Sequence, residues 1–184
     1  MADKKDYEAL FLEMHPGFFE KEYIRAMDEE TVCDEMILRL DEFDPEGYRK
    51  DFDSSVSFGL YRGSPEELHA SVGKVVPAWL HLYDGRSRVY CGFIGGKIAS
   101  FCMIEDMGKH ILDGQAVKIG GPGCVGTVPE FRNRGIGLVM VRDVTQILKE
   151  EGYDFSYIHY TGVAPWYRKL GYRTVLKWNK HGIL

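Results

Sequence analysis

Apolar positions recur at helical spacing in the first fifty residues and again around residue 140. Between these stretches the pattern changes to short apolar runs punctuated by glycine and proline. In "GFFEKEYIRAMDEE", Phe18 or Phe19, Tyr23, Ala26 and Met27 fall on one helical face. "TVCDEMILRLDEF" reads as a further helix, with Thr31 and Asp34 three apart like a capping box. "FDPEGYRKDFDSS" then interrupts the pattern through Pro45, Gly47 and a polar cluster. The chain therefore divides into a charged, helical N-terminal extension, 1–53, and a second unit, 54–184.

In the second unit strands and helices alternate. "SVSFGLY" predicts a strand, and Ser64-Pro65-Glu66-Glu67 opens a helix with a cap, a first-turn proline and early acids. "PAWLHLY" predicts a short helix. "RVYCGFI" and "KIASFCMIE" predict two strands joined at Gly95-Gly96, a two-residue hairpin signal. "AVKIGGPGCVGTV" is a strand with glycines and a proline inside it, which marks a bulge or a close backbone approach. "IGLVMVRDVTQILKEEG" is the clearest helix, with Ile136, Met140, Val144, Ile147 and Leu148 on one face and Gly152 as its stop. "DFSYIHY", "APWYRKLG" and "YRTVLKW" follow as strand, short helix and strand. Hairpins mixed with helical crossovers predict a mixed α/β sheet.

The 184 residues, 45% apolar and 28% charged, fit an ordinary globular domain. A formal net charge of −5 argues against broad nucleic-acid binding and would suit a cationic partner such as an amine. Neither a signal-peptide pattern nor a run long enough for a membrane span is present, so a cytoplasmic protein without membrane contact is expected. Cys33, Cys91, Cys102 and Cys124 form no metal-ligand pair, which suits free thiols in a reducing compartment, and no metal is expected.

The chemistry concentrates in "VPEFRNRGIGLVMV", residues 128–141. The first N–H groups of a helix lack intrahelical partners, and the aligned dipoles place roughly half a positive charge there. Gly135 and Gly137 remove side chains that would keep a bulky anion from those donors, while Arg132 and Arg134 add guanidinium forks suited to phosphate. The stretch can be read as a polyphosphate pocket or as a basic, solvated loop leading into a helix. A dinucleotide fingerprint is not met, because GxGxxG and its distal acid are both missing.

With Val128-Pro129-x-x-Arg132-x-x-Gly135-x-Gly137 and, after one helix and one strand, "WYRKLGY" at 166–172, residues 55–178 resemble the GNAT superfamily of acyl-CoA-dependent N-acyltransferases. The resemblance implies a mostly antiparallel sheet with helices on both faces, in which the strands "GCVGTV" and "DFSYIHY" splay apart to form an acetyl-CoA cleft. It implies that backbone groups of Val125, Gly126 and Thr127 pair with the pantetheine arm. Arg132, Asn133, Arg134, Gly135, Ile136 and Gly137 would hold the pyrophosphate. It further implies direct transfer of an acetyl group from acetyl-CoA to a primary amine, with Tyr167 protonating the departing thiolate.

A base must take the amine proton. The strand before the arginine-glycine loop has no acid, so His159, near the end of its strand, is the first candidate, with Glu105 and Asp106 next. Tyr160 stands where many relatives have a cofactor-touching asparagine, and Cys124 reads as filler rather than as a nucleophile. A small-molecule amine is the expected acceptor, and the N-terminal extension offers a homodimer interface. Two rival functions remain: an inactive acyl-CoA-binding or sensing module, and an acetyltransferase acting on protein N-termini or lysines.

Overall fold

The computed structural model describes residues 2–184. Its strands are Cys33–Arg39 (β1), Val56–Leu60 (β2), Arg88–Ile94 (β3), Lys97–Leu112 (β4), Gln115–Thr127 (β5), Phe155–Thr161 (β6), Arg173–Asn179 (β7) and Gly182–Ile183 (β8). Its α-helices are Lys4–Met14 (α1), Glu22–Arg25 (α2), Pro65–Gly73 (α3), Ile136–Glu150 (α4) and Ala164–Tyr167 (α5). All strands join one mixed sheet in the order β2-β3-β4-β5-β6-β1-β7-β8, antiparallel except where β5 meets β6.

Local chemistry explains most of these elements. The Ser64 side chain accepts the Glu67 N–H at the head of α3, behind Pro65. Gly95 and Gly96, both with positive φ, make the tight β3–β4 turn. Helix α4 packs Leu138, Met140, Val144 and Leu148 against Met36, Leu38 and Ile104 on one face of the sheet. On the other face α1 packs Leu10 and Phe11 against Ile37, Tyr157 and Trp178, and α3 packs Leu68 and Val72 against Phe101 and Met103. Each such apolar side chain, fully buried, contributes about 1.5–3 kcal/mol.

The N-terminal segment departs from expectation. The helix read over "TVCDEMILRLDEF" is strand β1, which lies in the middle of the sheet between β6 and β7. Met36 and Leu38 serve one core and Ile37 the other, so the strand is buried on both faces. A run that is apolar on both sides carries neither a period of 2 nor one of 3.6 that could decide its type. The expected helix after Gly17 is likewise reduced to a 3-10 turn, Phe18–Glu20, and the short α2.

The β5–β6 junction positions the site. Strand β5 pairs with β4 along nearly its whole length but with β6 only at Ile119↔Phe155 and Gly120↔Ser156. Beyond that point Pro122 offers no N–H, and Cys124 adopts a left-handed φ of 47°. The register with β4 slips at the same place. A Cβ on Gly121 would collide with the Tyr157 carbonyl, so glycine permits the last close approach before the strands part.

Candidate functional site

On the α4 side of the parting, a pocket of about 400 Å³ opens at the helix N-terminus. Its walls include Val125, Thr127, Arg132, Asn133, Gly135, Ile136, Gly137 and Tyr167, all anticipated from the sequence, together with Phe131, Leu138, Val163 and Trp166. Asn133 and Gly135 have φ of 63° and 81°, and no side chain caps α4, an arrangement suited to an anion. At Gly137 a Cβ would lie 2.7 Å from Thr127 Oγ1 and 3.4 Å from the Trp166 ring. Glycine there keeps the loop and the strand in contact.

The arginines are held differently. Arg132 Nε donates to the Thr127 carbonyl at 3.1 Å, whereas Arg134 lies over the Phe131 ring, 5.7 Å from its centroid. Gly126 is not among the residues lining the pocket and faces Phe101, where any side chain would clash. Sequence reasoning missed Lys50. Its chain crosses Gly135 so closely that a Cβ there would lie 2.5 Å from Lys50 Cδ and 3.1 Å from Nζ. Lying in the segment read as an extension, Lys50 gave no local signal of this role.

Tyr167 is 6% exposed, edge-on to Trp166, and burial pushes its phenol well above the usual range. It stays protonated, as a proton donor must. Cys124 is no activated nucleophile: its thiol is pushed up to about 12, chiefly by burial and next by Glu105. Its carbonyl accepts a hydrogen bond from the Tyr83 hydroxyl at 2.7 Å, which fixes the bulge.

His159 is absent from this pocket and lies on the opposite face of the sheet, against Phe11 and Phe18. There β5 presents Gly121 and Gly123, and a Cβ on Gly123 would strike the Glu105 carboxyl. Glu105 and His159 thus stand on either side of a trough floored by glycines. Burial raises the Glu105 pKa, opposed by the charge of His159. Asp106 is turned away, accepting the Gly108 N–H at 2.9 Å. Tyr160 directs its hydroxyl to Met27 Sδ, away from the α4 pocket. A second pocket of about 440 Å³, between α3 and β3, is lined by Tyr61, His69, Tyr83, Asp84 and Met103 among others.

With this geometry in view, comparisons with known proteins are specific. The family profile described as an acetyltransferase (GNAT) domain matches residues 65–175. The chain belongs to the GNAT family. Comparison with curated proteins finds no match. Among solved structures, this GNAT chain resembles a GCN5-related glucosamine N-acetyltransferase region of a fungal multi-domain GH3 beta-N-acetylglucosaminidase, with a TM-score of 0.65 and 21% identity. It also resembles GCN5-related N-acetyltransferases from Kribbella flavida (TM-score 0.56, 16% identity) and Sphaerobacter thermophilus (0.59, 18%). It covers 82%, 88% and 78% of its own length in these matches but only 20%, 62% and 48% of theirs. At such identities the likeness concerns the fold. No helix among the described residues is long and apolar enough to cross a membrane.

Proposed function

We infer that this GNAT domain transfers an acetyl group from acetyl-CoA to the primary amine of a small molecule by direct attack. The observation that carries the reading is the α4 pocket, where an uncapped helix N-terminus, two left-handed loop residues and a buried tyrosine meet at the parting of β5 and β6. The donor set fits the group. The α4 amides, Arg132, Arg134 and Lys50 supply positive charge and N–H donors for a pyrophosphate. Backbone groups of Val125, Gly126 and Thr127, freed from β6, can pair with an amide-bearing arm.

The acceptor would enter from the opposite face. Its neutral nitrogen attacks the thioester carbonyl: a C–N bond forms and the C–S bond breaks. The ammonium proton passes to His159, and the thiolate takes the Tyr167 proton. General acid or base contributions of this kind are worth about 10²–10⁴ each. Glu105, on the other wall of the trough, would place its carboxyl group beside the incoming amine. Acceptor breadth would be set by the α3–β3 pocket, whose floor residue Met103 pairs with Gly123.

Isothermal titration with acetyl-CoA, CoA and ATP tests the reading. Binding of both CoA species with little heat from ATP is the expected result. No CoA binding would retire it. D-glucosamine, suggested by one structural relative, is the first acceptor to try in a thiol-release assay.

A further inference from the structure

Strand β1 carries a glutamate that is entirely withdrawn from water: Glu35 is 0% exposed. A buried carboxylate is costly unless donors surround it. Here Oε1 accepts the Trp178 indole N–H at 2.7 Å and the Tyr160 backbone N–H at 3.1 Å, while Oε2 accepts from His159 Nδ1 at 3.0 Å. The Tyr160 N–H points there because that residue adopts a φ of 56°, a left-handed conformation that a tyrosine takes only at a cost of about 1–3 kcal/mol. A buried carboxyl group and a strained backbone therefore converge on one imidazole.

The ring itself is held on several sides. His15 stacks on it at 3.8 Å with an interplanar angle of 15°, and Phe18 packs edge-on at 5.1 Å. If Glu35 is a carboxylate, both its oxygens can only accept, and the hydrogen of this bond then belongs to His159 Nδ1. A neutral imidazole has one such hydrogen, which leaves Nε2 with a bare lone pair. Nε2 has no hydrogen-bond partner among the described residues, and the side chain is 26% exposed.

We propose that Glu35 is a positioning residue for acyl transfer, holding His159 in the Nδ1–H tautomer so that Nε2 is free to take the amine proton. This rests on the reading of His159 as proton acceptor. It assigns a part in the chemistry to β1, which lies outside the segment matched by the family profile. The donor atoms of His15, Glu35 and His159 also lie within 4.8 Å of one another, as a metal site would require. That alternative fits less well. The near-parallel rings send their in-plane lone pairs side by side instead of converging, and Glu35 Oε1 already accepts two N–H donors, from Trp178 and Tyr160.

The substitution Glu35→Gln separates the roles. The amide oxygen can keep the Trp178 and Tyr160 bonds while its NH₂ faces Nδ1, which must then accept and pass its hydrogen to Nε2. Long-range ¹H–¹⁵N correlation of the full chain at pH 8, assigned with His159→Gln, reads the tautomer directly. We expect Nδ1–H in the unaltered protein and Nε2–H in Glu35→Gln. Thiol release from acetyl-CoA, with D-glucosamine or water as acceptor, should fall at least about tenfold in Glu35→Gln and His159→Gln, and no further in the double variant. Acetyl-CoA affinity should not change.

A bare Nδ1 in the unaltered protein overturns the proposal without need of any variant. So does a Glu35→Gln protein with the switched tautomer and full turnover, or zinc binding that displaces the Nδ1 proton. If His159→Gln alone leaves turnover intact, it is the proton-acceptor reading that fails, and the titration with acetyl-CoA still stands or falls separately.

Discussion

The two faces of the sheet at the β5–β6 parting are built from opposite chemistry. The α4 face gathers an uncapped helix N-terminus, Arg132 and Lys50 around small residues, with Arg134 on the adjoining loop over Phe131. The α1–α3 face sets Glu105 beside Gly123, and His159, backed by Glu35, on the neighbouring strand. On the proposed reading the acyl donor binds on one side and the amine on the other, and the two would meet through the gap between the strands. On that reading, charge segregated across the sheet would sort the two reactants by sign.

The contrast can be broken most severely at the gap itself. Tyr167→Phe should lower turnover by about 10²–10⁴-fold and leave acetyl-CoA affinity unchanged, read by steady-state kinetics beside calorimetry. Full turnover would mean that another group supplies the proton. On the cationic face, Arg134→Glu removes a charged hydrogen-bond donor, worth about 1.5–3 kcal/mol, and adds repulsion. Acetyl-CoA affinity should drop about 100-fold with the melting temperature nearly unchanged, since Arg134 lies outside the core. Lys50→Glu should weaken binding by about tenfold in the same titration, and an unchanged affinity would remove Lys50 from the pocket's electrostatics.

The acidic face is sharpened by stability against pH. The Glu105 pKa is raised in the folded state, mainly by burial, so the native protein holds that proton more tightly than the unfolded chain. Stability is lost as pH rises through the raised value, and Glu105→Gln should restore it. Urea unfolding should show the variant more stable than the parent at pH 8 and equal to it at pH 4. His15 runs the other way. Burial, and next the charge of His159, hold it down to about 3 from an ordinary 6.5. The unfolded chain takes that proton first, so stability falls as pH drops from about 6.5 toward 3. His15→Gln should flatten this limb by a small margin; an equally steep limb would assign the acid sensitivity to other groups.

The cationic pocket was the more legible because most of its residues are consecutive. Arg132 to Gly137 report a loop entering a helix, and Tyr167 closes the short helix that follows the next strand. The trough was only half legible. His159 and Glu105 could be named as candidate bases, but their shared face follows from which residues of β4 and β6 flank Gly121 and Gly123, a matter of register. Glu35 and Lys50 were not legible at all. Both lie in the N-terminal segment, where charged residues resemble a solvated helical face and where β1, apolar on both sides, shows no decisive period. Their roles arise from contacts across 124 residues to His159 and from the path of Lys50 over Gly135.

The place of β1 has a consequence for how the protein is made. Synthesis brings out β1 long before either neighbour, and Glu35 meets its partners His159 and Trp178 across 124 and 143 residues of chain. Until β6 and β7 emerge, Met36, Ile37 and Leu38 have no sheet to enter, and the closing of the sheet is governed by contacts of very high sequence separation. Folding should be slow for a chain of this size, with a late step in which β1 is threaded between its neighbours. Until then the unpaired strand is the region a chaperone would hold.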